Sequence, residues 1–115
     1  MSSKPTFPDD PAFKCLRSGE IKEFHRLIAG RDVVDFSGTD LRGTDFRGAD
    51  LSKVLLRDAY LRDANLSGCD LRQMDLCGAN LHGAHIGGAY FQANLSAEEI
   101  MMSVQHGTRL RATNA

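Results

Sequence analysis

The sequence predicts an all-β solenoid with helices at both ends, and three observations carry that reading. A large apolar side chain returns every five residues through the middle of the chain. Small residues, Asp or Asn, and glycine keep fixed places around it. Helix signals stand on either side of this stretch. At 115 residues the chain is one domain with a modest core. It is expected to divide into an N-terminal arm and helical cap (1–33), the repeat (34–95), a capping helix (96–107) and a flexible tail (108–115).

The N-terminal cap comes first. Asp10 followed by Pro11 has the form of an N-cap and first helical residue. After a break near Gly19, Ile21, Phe24, Leu27 and Ile28 make an apolar stripe at helical spacing, with Gly30 as a fitting stop. A solenoid needs such an element, because its end exposes core and unpaired strand edge.

The repeat follows. Phe36, Leu41, Phe46, Leu51, Leu56, Leu61, Leu66, Leu71, Leu76, Leu81, Ile86 and Phe91 are five apart, and all twelve are Leu, Ile or Phe. Two residues before them stand small side chains: Ala49, Ala59, Ala64, Ala79, Ala84 and Ala89, with Thr39, Thr44 and Cys69. One residue before comes Asp or Asn in eight cases: Asp35, Asp40, Asp45, Asp50, Asn65, Asp70, Asp75 and Asn80. Two residues after comes glycine in seven, from Gly38 to Gly88. Period five fits neither a helix (about 3.6) nor a long flat strand (about two). The small and large residues are two apart, which is strand spacing and turns both to one side. Asx and glycine suit the tight turn that follows. The chain therefore coils, with each small–large pair facing the axis.

Units such as Ala49-Asp50-Leu51, Ala64-Asn65-Leu66 and Ala79-Asn80-Leu81 resemble the pentapeptide-repeat family over about Val34 to Leu95. The resemblance implies a right-handed four-sided β-helix with four units per coil. Val34, Val54 and Met74, the oversize residues in the small slot, are twenty apart and would stack in one column of it. Twelve units make three coils, about 15 Å long at a strand spacing of ~4.8 Å. On that frame Leu66→Asp unfolds the protein. Gly68→Ala costs much less, unless its turn holds a positive φ.

The C-terminal helix has a capping box in Ser96 and Glu99, with Leu95 and Ile100 where a hydrophobic staple would lie. Ala97, Ile100, Met101 and Val104 share its buried face, and Gly107 ends it. Ala93-Asn94-Leu95 falls one place out of frame, which marks the exit from the coil. Thr108 to Ala115 has the look of a frayed tail.

Candidate surface residues come from the outward slots. Arg42, Arg62 and His82, twenty apart, form a short basic ladder suited to an acidic partner or a phosphate. The competing reading is a solvated row paired with Asp40 and Asp63, each pair worth about 0–1 kcal/mol. Leu55, Tyr60 and Tyr90 replace the usual Asx and suggest an apolar or aromatic docking cluster. Leu55 has a plainer use as a cover for a loop or the first helices. Met102 lies off the buried stripe, which suits a homodimer contact through the C-terminal helix or equally a plain exposed methionine. Cys77, His82 and His85 offer no fourth ligand and straddle a corner, so no metal or other cofactor is expected. Cys69 replaces an inward alanine, and Cys15 packs within the first helix.

The aspartates recur as turn formers, and no phosphate loop, nucleophile elbow or HExxH occurs, so no enzyme is expected. With 14 basic against 15 acidic side chains, nothing points to nucleic acid or an anionic membrane. No apolar stretch reaches the roughly 20 residues that span a bilayer. The opening residues lack the form of a secretory signal, and three cysteines suit a reducing cytoplasm. The expectation is an interaction or structural module for an unidentified protein partner. The resemblance implies one alternative, since quinolone-resistance members mimic duplex DNA and bind type II topoisomerases. From Phe36 to Leu95, seven Asp and no Glu meet six Lys plus Arg, and that near-neutral coil departs from mimicry.

Overall fold

The computed structural model describes residues 4–113. Each repeat unit extends for only two residues before it turns, so the strands are short. They are β1 (Val34–Asp35), β2 (Val54–Leu55), β3 (Asp70–Leu71) and β4 (Tyr90–Phe91). β1 pairs with β2 in parallel, Val34 opposite Val54, and β3 with β4, Asp70 opposite Tyr90. Single bridges at Asp40–Tyr60, Asp45–Asn65, Tyr60–Asn80 and Asn65–His85 keep the same offset of twenty. That constant register makes a repeat β-helix.

Its axis is filled by the period-five side chains. Phe36, Leu41, Phe46, Leu51, Leu56, Leu61, Leu66, Leu71, Leu76 and Leu81 are buried, as are Val34, Val54 and Met74. Ile86 and Phe91 are only partly buried, against the expectation of a fully enclosed axis. Among the described residues β4 has a strand neighbour on one side only, so the last units are less covered than those before them.

The turns explain the Asx and glycine columns. Each of the eight Asx residues accepts the N–H two residues ahead at 2.9–3.1 Å, as in Ser37 to Asp35 and His82 to Asn80. This is the Asx turn, and it secures the corner from inside the unit. The next slot is left-handed: Gly68 holds φ +71°, and Asp58 and Asp63 hold +59° there without being glycine. Lys53 and Gln73 occupy the same slot before Val54 and Met74 and are not left-handed, so the bulky column goes with a different turn.

Backbone amides link one turn of the coil to the next in a fixed pattern. The N–H of an Asx-slot residue donates to the carbonyl twenty-one residues back, as in Tyr60 to Thr39, Asn80 to Ala59 and Tyr90 to Cys69. The N–H of a large residue donates to the carbonyl nineteen ahead, as in Leu41 to Tyr60 and Leu66 to His85. At either end those acceptors do not exist, and a buried unpaired amide is costly.

The terminal segments supply replacements. At the start, Asp40 N–H donates to Thr6 O at 2.9 Å, and Asp50 N–H to His25 Nε2 at 2.8 Å. At the finish, Leu76 N–H goes to Gln92 Oε1, Gly78 N–H to Leu110 O, Leu81 N–H to Ser103 Oγ and Gly83 N–H to Val104 O.

Those segments fold as the local signals dictate. α1 (Pro11–Arg17) starts at Asp10, whose carboxylate accepts Ala12 N–H and chelates Arg31. Phe13 packs edge-on against Phe36, ring centroids 5.2 Å apart. α2 (Ile21–Ile28) buries Phe24 and Ile28. It ends on Ala29, one residue ahead of the expected stop at Gly30.

α3 (Ala97–His106) starts at Ser96, which accepts Glu99 N–H, and ends on left-handed Gly107. Only half of the expected capping box forms, because the Glu99 carboxylate turns to the backbone N–H and guanidinium of Arg111. Met101 is exposed rather than buried. The inner face holds Ile100 and Ser103 instead, since the Ser103 hydroxyl is needed by Leu81 N–H.

The expected frayed tail is also replaced by structure over 108–113. Arg109 bridges Asn80 in antiparallel fashion, and Leu110 is buried. Thr113 N–H donates to Asn94 O at 2.8 Å. Burying Leu110 over the coil end and satisfying Gly78 fix this stretch. Residues 1–3 of the N-terminal arm and 114–115 of the tail lie outside the described residues.

Candidate interaction face

One face of the coil carries more rows than the repeat alone supplies. Its rows run Thr6, Asp40, Tyr60, Asn80 and Arg109, joined by Asp40 N–H to Thr6 O, Tyr60 N–H to Thr39 O, Asn80 N–H to Ala59 O and Leu110 N–H to Ala79 O. Five rows at ~4.8 Å spacing span about 19 Å from first to last. Both outer rows come from the terminal segments.

The expected basic ladder stands on this face, but its rungs differ. Arg42 chelates Asp40 with Nε and Nη2. Asp40 is almost fully buried. The Arg42 guanidinium holds its carboxyl below the ordinary range, against the opposing effect of burial. Arg62 is 61% exposed, and its ion pair with Asp63 is long, at 3.8 Å. His82 is partly buried beside Gly107, where an added Cβ would come within 3.0 Å of Nδ1. The ladder thus has one fixed arginine, one loosely held arginine and a histidine committed to the end of α3.

Two arginines not anticipated on this face join them. Arg17 Nη1 donates to Asp40 O at 3.2 Å, with its guanidinium over exposed Phe7. Arg109 lies over the Tyr60 ring, 5.8 Å from its centroid, and Nη2 is 3.4 Å from the hydroxyl. No period links Arg17 or Arg109 to the ladder, so only the pairing of the terminal segments could have revealed them.

The expected cluster of Leu55, Tyr60 and Tyr90 does not assemble. With a register of twenty, these residues fall in three separate columns. Leu55 is 38% exposed beside Asp35. Tyr90 is 58% exposed, with the Arg72 guanidinium 4.9 Å above its ring. Met102 lies on α3 at the edge of a hollow of about 500 Å³ with Glu99, Thr108, Arg109 and Arg111.

Around the coil, carboxylates sit beside guanidiniums. Asp45 pairs with Arg47 and Asp70 with Arg72, which together with the N–H bonds of the Asx turns bring both carboxyls down to about 2. Asp75 pairs with Arg57, and Asp58 lies 3.6 Å from Arg109. Among the described residues no three His, Cys, Asp or Glu side chains gather as metal ligands, and all three cysteines are free thiols. No described helix is long and apolar enough to cross a membrane.

A family profile described as pentapeptide repeats matches the chain in eight copies, over residues 34–58 and 55–96. No curated protein matches it. Among solved structures the chain is similar to a pentapeptide repeat protein from Nostoc Pcc 7120, at 36% identity and a TM-score of 0.56. That likeness covers 65% of this chain and 60% of the Nostoc protein, so the chain spans somewhat under two thirds of that relative. A pentapeptide repeat protein from the Arabidopsis thaliana thylakoid lumen is 24% identical, with 66% of this chain and 80% of that one covered and a TM-score of 0.32.

Proposed function

The chain belongs to the pentapeptide-repeat family, and on that premise we propose that it is a non-enzymatic interaction module whose working surface is the five-row face around Tyr60. We read the coil as right-handed and four-sided, three turns over 34–95. The helices over 1–33 and 96–107 are read as its caps, with 108–113 as part of the closure. The partner is an acidic segment of another protein met in a reducing compartment.

One observation carries this reading. Arg62 stands exposed near the middle of a five-row face, its own carboxylate 3.8 Å away, flanked by Arg42, Tyr60 and Arg109. An incoming carboxylate or phosphate can displace so weak an internal pair, because an exposed pair is worth only about 0–1 kcal/mol and a short bidentate bond to the guanidinium is stronger than one at 3.8 Å. Duplex mimicry finds less support. The coil's aspartates are interleaved with arginines, and a duplex-like stripe of free negative charge is missing from the described residues.

The test is capture from native lysate by wild type and by Arg62→Glu, which leaves the Arg42–Asp40 chelate intact. A protein held by wild type, competed by a poly-glutamate peptide and lost by the variant supports the reading. Equal capture by both would show that the partner uses another face.

A further inference from the structure

The first turn of the coil uses an imidazole where later turns use a carbonyl. Tyr90 N–H, in the Asx slot of the same column as Asp50, donates to Cys69 O. Asp50 has no preceding turn, and its N–H donates instead to His25 Nε2 at 2.8 Å. An N–H donor demands a lone pair on Nε2, so the ring proton lies on Nδ1. Every other replacement acceptor, at Thr6, Gln92, Ser103, Val104 and Leu110, is an oxygen that keeps its lone pairs at any ordinary pH. His25 alone among them loses its acceptor by gaining a proton, and imidazole does so in the range of about pH 5–8.

We propose that His25 is a pH-sensitive latch: its bond to the Asp50 N–H ties α2 to the leading edge of the coil, and protonation of the ring opens that one tie while the rest of α2 stays packed. The surroundings fit a latch that opens locally. His25, Ile28, Ala29, Asp50 and Lys53 line a hollow of about 250 Å³ between the end of α2 and the 50–53 turn, so the ring has room to swing. From the coil, the Asp50 carboxylate and the Lys53 ammonium face it. Lys53 Nζ is engaged with Ile28 O and Ala29 O, and Asp50 Oδ1 with Ser52 N–H. On α2, Glu23 and Arg26 pair with each other. From α1, Cys15 lies toward Glu23 and Arg26, while Lys14 is tied to Asp9 and Arg17 to Asp40 O.

A protonated ring is drawn to the Asp50 carboxylate and repelled by Lys53 and by the Asp50 N–H it formerly accepted. It therefore turns away from the backbone and leaves that amide open. Phe24 and Ile28 stay buried, which confines the release to this corner. The bond needs the neutral ring and is lost when Nε2 gains a proton.

Nitrogen NMR on the whole chain tests this. The expected result is an Nδ1–H tautomer of His25 near pH 7.5, with an Asp50 amide that titrates together with the ring. Its exchange protection, corrected for intrinsic rate, should fall about tenfold by about pH 5, the worth of one hydrogen bond. His25→Gln offers an amide oxygen that no proton removes, and there the Asp50 amide should stay protected across the range. An Nε2–H tautomer at neutral pH overturns the proposal. So does an Asp50 amide indifferent to the titration of His25.

Discussion

Thr44 and Gly78 are residues at which the surroundings decide what a replacement does. Thr44 is buried, and its Oγ1 has no hydrogen-bond partner among the described residues. Ala64 and Ala84 follow it in the same column. An orphaned buried hydroxyl costs about 1–3 kcal/mol, more than the roughly 0.8 kcal/mol lost with a methyl group. Thr44→Ala should therefore be neutral or stabilising by up to about 1 kcal/mol in urea unfolding. A clear loss would mean that Oγ1 is bonded after all.

Gly68 and Gly78 separate two costs of the left-handed slot. At Gly68, φ is +71° and an added Cβ meets open space, so Gly68→Ala should cost only the strain of about 1–2 kcal/mol. The turn thus holds the positive φ that was the exception to the low cost expected of that substitution. At Gly78, φ is +80° and the Cβ would lie 1.8 Å from Asp58 Oδ1. Gly78→Ala should destabilise more than Gly68→Ala, and Asp58→Gly in the same chain should remove the excess. A double-mutant cycle on thermal melts reads that coupling, and additive effects would contradict it.

Among the elements, the turns couple the fold to acid. Asp45 and Asp70 have carboxyls held at about 2 by their arginines and turn amides. A depressed folded value stabilises above the unfolded value, and that contribution is lost as pH falls from about 4 through about 2. Melting temperature should drop across that window. Asp45→Asn with Asp70→Asn should flatten the drop, since Asn65 and Asn80 make the same turn without a charge. An unchanged slope would place the acid sensitivity elsewhere. The turns and the axis were legible in the sequence because the axial residue is written twelve times and the Asx turn eight times in one frame. Thr6, His25, Gln92, Ser103 and Leu110 were not, because each closes the coil once and obeys no period. Their roles exist only after the chain has wound and its unpaired amides have positions. For the same reason the ladder of Arg42 and Arg62 could be located by counting, whereas Arg17 and Arg109 could not.

For the whole molecule, the decisive residue is at mid-axis. Leu66 is fully buried, and Leu66→Asp puts an unpaired carboxylate among apolar side chains. A penalty of about 4 kcal/mol or more takes a large part of an ordinary domain's stability. The variant should lose its β-rich circular dichroism at room temperature, and a native spectrum would refute the axial frame. Assembly is a separate matter. Met101 and Met102 are 43% and 45% exposed on α3, and a homodimer through that helix is the arrangement we propose for them. Light scattering should then give twice the chain mass for wild type and the single mass for Met102→Lys.

The five-row face also sets the steps by which such a chain can grow. Thr6 and Arg109 meet on one face because the intervening chain returns them to the same angular position. Duplicating twenty residues, for instance 55–74, inserts one more row between them and leaves both seams in phase. Duplicating five would shift everything downstream by a quarter of the twenty-residue register, carry Arg109 off the Tyr60 face and present Leu110 to the wrong amides. Gene duplication within this protein is thereby quantised: twenty residues lengthen the Tyr60 face as a ruler gains a division, and any smaller step breaks the join at its end.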